Sequence, residues 1–148
     1  MAFEGIQGLE KVLRRVSRLS TDARHVEKPM KAAGTYMLGS IEKNFKAGGR
    51  PNKWQGLSAG TIARRRNKKK SSIKILVDTG RLKNSHSFRL VSEGVQIGTN
   101  VIYAPRQHFG YKGGSGRGHS ETPARPYLMF QEEDIREIGE IFTRHVAG

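Results

Sequence analysis

Apolar residues along this chain recur with two periods, and each period marks out its own set of elements. A spacing of three and four runs through Ile6, Leu9, Leu13 and Val16, with Val12 beside them, and predicts a helix whose other side carries Lys11, Arg14, Arg15 and Arg18. The spacing returns in Ala33, Met37, Ile41 and Phe45, with Met30 and Tyr36 flanking, in a second helix expected from near Pro29 to about Phe45. Gly34 and Gly39 weaken that helix, and either permits a close backbone contact. Ser58 is placed to cap a short helix from Ala59 that carries Thr61, Ile62 and Arg65. The last helix, Glu132 to about His145, turns Ile135, Ile138, Ile141, Phe142 and Val146 to one side. Its start is acidic and its end basic, as the helix dipole favours.

A spacing of two appears between these helices. His86, Phe88 and Leu90 point one way and Ser87, Arg89 and Val91 the other; Ser92-Glu93-Gly94 supplies a turn, and Val95, Ile97 and Thr99 return. A lone hairpin is marginal in water. Ile75-Leu76-Val77 is therefore expected as a further strand, ending at the turn signal Asp78-Thr79-Gly80, with Ile102-Tyr103 adding to the cover. The fold class that follows is α+β: a small antiparallel β-sheet centred on residues 84 to 103, packed against two or three helices, in a single domain over 1–148.

Two long segments escape both periods. In 64–74, seven of eleven residues are basic, namely Arg64, Arg65, Arg66, Lys68, Lys69, Lys70 and Lys74, which predicts an exposed loop facing phosphates, an acidic protein or solvent. No aromatic interleaves with them, so base stacking is not expected and only sequence-independent nucleic-acid contact fits. In 110–122, five glycines fall within Gly110 to Gly118, which predicts a flexible surface loop suited to being ordered by a neighbouring subunit. Trp54, the sole tryptophan, lies among turn-forming residues and is either a plug pinning a loop to the core or an interface anchor.

The formal charge of +14 is uneven. The last 18 of the 148 residues hold five acids and two arginines, so the preceding 130 carry 25 basic residues against 8 acidic ones. Such a surface attracts phosphates, membranes or an acidic partner, most strongly at low salt. No apolar run approaches the ~20 residues of a membrane span, and the opening residues lack the order of a signal peptide, so a soluble intracellular product is expected. With no cysteine, thiolate chemistry and cysteine-ligated zinc are excluded. His25, His86, His108, His119 and His145 show no compact metal-ligand spacing, and the carboxylates form no catalytic pair. Ser85 and His86 are neighbours on a strand and point to opposite faces, and Ser120 beside His119 lacks an orienting third group. Neither an enzyme site nor a cofactor is expected.

The landmarks Phe45, Pro51, Trp54 with Leu57-Ser58 and Thr61, Ile75-Leu76, Thr79-Gly80 with Leu82, Ile97-Gly98, Tyr103-Ala104, Phe109-Gly110 and Pro123-Ala124-Arg125-Pro126 follow one another in an order that resembles the phage virion morphogenesis family, the tail-completion proteins of P2-like and Mu-like phages and prophages. The chain departs from that pattern in reading Gln107-His108 where His then Gln is usual. It also has Arg50-Pro51-Asn52-Lys53 where Pro-Asp-Gly is common. The first shifts any packing role of the histidine position to Gln107, and the second changes turn detail.

The resemblance implies a non-enzymatic protein that completes the tail or the head-tail junction. It implies an oligomeric ring, made in the bacterial cytoplasm and residing in the virion tail or neck. The implied partners are tail tube, tail terminator or head-tail connector proteins, with non-specific DNA contact as a further possibility and no membrane. The interface is expected to use Trp54, Tyr103, Phe109, Tyr111, Arg125 and Tyr127, offered from loops held by glycine and proline. The contact to DNA or to an acidic partner falls to the seven basic residues of 64–74. The alternative is a sequence-independent nucleic-acid-binding protein with no assembly role.

Overall fold

The computed structural model describes residues 14, 23–69, 71–92, 94–114 and 120–147. Arg14 is helical and exposed; the rest of the expected first helix, and residues 70, 93 and 115–119 of the predicted loops and turn, lie outside the described residues. Four helices and two strands are described: α1 (Ala23–Ala47), α2 (Ala59–Arg66), β1 (Ser87–Val91), β2 (Gly94–Gly98), α3 (Ala104–Phe109) and α4 (Glu132–Ala147), with a 3-10 turn at Lys83–Ser85. The strands form a two-stranded antiparallel sheet, which makes the fold α+β. Two compact units are distinguished in the chain. One takes the chain up to Met37 with Phe88–Gln96 and Phe130 onward; the other takes Leu38–Ser87 and Ile97–Met129.

In the first unit, α1 begins earlier than its proline suggests. Pro29 sits inside the helix, six residues after Ala23, where it removes one backbone hydrogen bond without ending the helix. Gly34 is the site of the close contact, since it faces the Phe88 ring of β1. Along β1, Phe88 and Leu90 are half-buried while Ser87, Arg89 and Val91 are exposed, so the strand has the faces its alternation predicts. At the start of α4 the Asp134 carboxylate accepts the Gln131 N–H at 2.8 Å, the reach of a capping box.

The second unit holds a core of Ile41, Phe45, Trp54, Leu76, Leu82, Val101, Ala104 and Tyr127. Trp54 stands edge-on to Phe45 with ring centroids 5.7 Å apart, and its indole Nε1 donates to the Pro126 carbonyl at 3.0 Å. Of the two roles open to it, the structure places it as a plug. His86 lies between the Phe45 and Tyr127 rings at 5.7 and 5.1 Å, with Nδ1 3.4 Å from the Lys83 carbonyl.

The strand expected at Ile75-Leu76-Val77 is absent among the described residues, and Ile102-Tyr103, expected as cover for the hairpin, is exposed; each has a physical reason. Leu76 adopts φ +58, so Lys74 and Val77 make only an isolated bridge around a turn that buries Leu76 in the core, with Ile75 and Val77 half-buried against it. Ile102 and Tyr103 lead into α3 instead of extending the sheet. Pro105 sits at its first turn, where a missing N–H costs nothing.

Candidate assembly surface and adjoining groove

The functional residues expected from the sequence separate into an exposed set and an internal set, all in the second unit. Tyr103, Phe109 and Tyr111 are on the surface; Phe109, at the end of α3, is 77% exposed, and Ile102, expected from the sequence as cover for the hairpin, is 94% exposed. Ile102, Pro105 and Phe109 stand at i, i+3 and i+7 around the α3 turn, the spacing of one helical face, and all three are exposed. His108 turns inward from this helix. It meets the Tyr127 ring edge-on at 5.1 Å, and its Nδ1 accepts the Leu128 N–H at 3.5 Å.

Trp54, Arg125 and Tyr127 are buried instead, and their side chains make contacts inside the unit. Tyr127 is 2% exposed and its hydroxyl donates to the Ala104 carbonyl at 3.4 Å. Arg125 is 6% exposed; its Nε and Nη2 donate to the Gln55 and Gly56 carbonyls, each at 3.0 Å, and its backbone N–H to Gln107 at 3.0 Å. The flanking prolines marked a rigid segment but not which way the arginine would turn. Burial, with the Arg65 charge adding to it, pushes the Arg125 guanidinium below its usual range.

The basic run is likewise divided. Arg64 and Arg66 close α2, and with Lys68, Lys69 and Lys74 they are exposed; Lys70 lies outside the described residues. Arg65 instead folds back, with Nη1 donating to the Ser72 and Lys74 carbonyls at 2.9 Å each and Nε 3.7 Å from Asp78. It ties the loop down, so the segment is a helix end followed by a stapled turn. α2 is capped as its sequence predicts, the Ser58 hydroxyl accepting the Thr61 N–H at 3.2 Å.

The 110–122 segment is pinned at its mouth. Tyr111 and Thr122 exchange backbone hydrogen bonds at 2.7 Å, the Arg106 guanidinium lies 4.7 Å over the Tyr111 ring, and its Nε donates to the Thr122 hydroxyl at 3.0 Å. Gly110 makes this closure possible. Its φ is +78, and a β-carbon there would stand 2.7 Å from the Ala124 nitrogen.

Beside α2 and the 120–125 segment runs a groove of about 560 Å³, lined by Leu57, Ser58, Thr61, Arg64, Arg65 and Arg125 among others. A recess of about 250 Å³ adjoins it and shares Leu57, Arg65, Gln107 and Arg125. Among the described residues, no three histidines or carboxylates come together as a metal site would need, and no helix is long and apolar enough to cross a membrane.

Comparison with known proteins identifies the lineage. The model of the phage virion morphogenesis family matches residues 6–147. The Mu-like prophage FluMu G protein 2 of Haemophilus influenzae is 30% identical over 137 residues, covering 91% of this chain and 88% of that protein. No solved structure matches.

Proposed function

Since the chain belongs to the phage virion morphogenesis family, we propose that it is a structural protein that completes the tail or the head-tail junction, acting without catalysis as an oligomeric ring. The observation that carries this reading is the exposed apolar face of Ile102, Pro105 and Phe109, continued by Tyr103 and Tyr111. A water-soluble surface gains nothing by displaying these groups, whereas a protein that must join copies of itself and a tail component gains a contact. The partners that suit this role are tail tube, tail terminator or connector proteins. Short helices and pinned loops hold the aromatics in fixed positions, which lowers the entropic cost of assembly.

The test replaces Phe109→Ser and Ile102→Ser in a prophage background. Folded but non-assembling protein, with tails that electron microscopy shows unfinished or unjoined, is the expected result; complete infectious particles would overturn the reading. A sequence-independent nucleic-acid role is favoured by one observation, the exposed cations Arg64, Arg66, Lys68 and Lys69. It predicts that Lys68→Ser/Lys69→Ser loses DNA binding, while the α3 substitutions leave both DNA binding and infectivity unchanged.

A further inference from the structure

Arg125 presents an electrostatic imbalance. It is 6% exposed, yet among the described residues no carboxylate lies within ion-pair distance of it, and the charged neighbour it feels is a second guanidinium, Arg65. A buried cation ordinarily has an anionic partner, since desolvation is otherwise uncompensated. Two carbonyls hold the guanidinium in place, which leaves part of its five-donor fork unspent. Asp78, the nearest anion to Arg65, is 3.7 Å from it and already accepts the Ser71 hydroxyl at 2.6 Å.

Both arginines line the 560 Å³ groove, and Arg64 stands exposed at its edge. Three guanidiniums there face one lining carboxylate, Glu121. Ser58 and Thr61 add hydroxyls, and Leu57 and Pro123 supply apolar wall, the mixture that a peptide side chain and its backbone need.

We propose that this groove binds an acidic polypeptide segment of an assembly partner, with Arg125 as the recessed anchor for a side-chain carboxylate and Arg64 as the outer contact. A planar guanidinium fork pairs two-pronged with a carboxylate, and a pre-positioned fork loses little entropy in doing so. Duplex DNA fits less well: its phosphates lie on a wide, stiff cylinder and meet exposed cations such as Lys68 and Lys69, whereas a recessed guanidinium needs a thin, flexible ligand.

The biological setting rests on the assembly reading above, but the test uses the isolated full chain and needs no oligomer or tail. Loss of infectivity on altering α3 therefore reports on that reading, and peptide binding reports on this one.

The probe is a fluorescein-labelled hexaglutamate peptide, followed by anisotropy at low salt. Arg64→Ser, and Arg125→Lys, which keeps the charge and removes the fork, are expected to weaken binding about five-fold or more, while Lys68→Ser/Lys69→Ser changes it less than about two-fold. Should Arg125→Lys fail to fold in a thermal melt, Arg64→Ser decides alone. An unchanged affinity in folded Arg64→Ser, or an equal loss in the lysine variant, overturns the proposal. A 20-base-pair duplex that displaces the peptide and is itself weakened by Arg64→Ser to the same degree would make the groove a phosphate site and also overturn it.

Discussion

The Phe88 ring occupies the space that a β-carbon on Gly34 would need: its Cδ2 lies 2.6 Å and its Cγ 2.7 Å from that position. Cγ is the root of the ring and moves only by a change of χ1 or with β1, so Gly34→Ala forces the ring from its rotamer or strand and helix apart. The strain of overpacking is about 1–3 kcal/mol and exceeds the roughly 1 kcal/mol that alanine gains in helix propensity. Gly39, on the same helix, has open space at its β-carbon position. Urea melts should show Gly34→Ala destabilised and Gly39→Ala stabilised by up to about 1 kcal/mol. Equal shifts of one sign would mean that Phe88 does not pack on Gly34.

Trp54 leads to a spectroscopic prediction. Its ring is buried among Phe45 and its neighbours and its indole N–H is bonded to Pro126, so emission should be blue-shifted in the folded protein. Emission should move on unfolding and stay put when the protein assembles. Trp54→Phe keeps the packing but leaves the Pro126 carbonyl without this donor, at a cost of about 1–3 kcal/mol; Trp54→Ala should cost about 3–5 kcal/mol. A fluorescence change on oligomerisation with no shift in melting would return Trp54 to the interface.

The parts of this fold visible in the sequence are those that repeat. Ala33, Met37, Ile41 and Phe45 are all buried, as four-residue spacing requires, and the α2 cap and the β1-β2 hairpin follow local rules in the same way. What escaped is set by single residues answering to distant ones. Ile75-Leu76-Val77 has strand composition, but one positive φ at Leu76 turns it into a core-seeking bend, which no pattern of polarity encodes. Ile102-Tyr103 reads as apolar cover for the hairpin; the Ala-Pro that follows was the available signal for a helix start. At the site, exposure of Tyr103, Phe109 and Tyr111 fits loop and helix-end chemistry. The inward turn of Arg125 depends on carbonyls some 70 positions away and could not be read locally.

His86 makes stability depend on pH. Burial between two aromatic rings lowers its pKa below the ordinary histidine value, with the Lys83 carbonyl opposing weakly, and burial lowers that of His108 likewise. The unfolded chain then binds protons that the native state resists. Stability should be level above the unfolded value near ~6.5, fall as pH drops below it, and level off again once the folded values are passed. His86→Gln should flatten part of that fall. The check is the melting temperature of both proteins between about pH 7.5 and pH 5. A wild-type profile flat across the interval, or identical slopes in the two proteins, would remove His86 as a contributor.

Within the basic run, neighbouring residues should fail in different assays. Arg65 gives its Nη1 donors to the Ser72 and Lys74 carbonyls, so Arg65→Ser strips both at once and should destabilise by about 1–3 kcal/mol. Lys68 and Lys69 are exposed, so Lys68→Ser/Lys69→Ser should leave the melt unchanged. Where these lysines meet phosphates, their loss should reduce the salt slope of non-specific duplex binding by about two, one unit for each counterion no longer displaced. Titrations of duplex DNA from about 50 to 200 mM salt measure this directly. A destabilised lysine variant would mean that those side chains hold the turn, and a neutral Arg65→Ser would mean that the turn stands without its staple. If the slope is unchanged while tail joining is lost, the lysines face an acidic protein rather than nucleic acid.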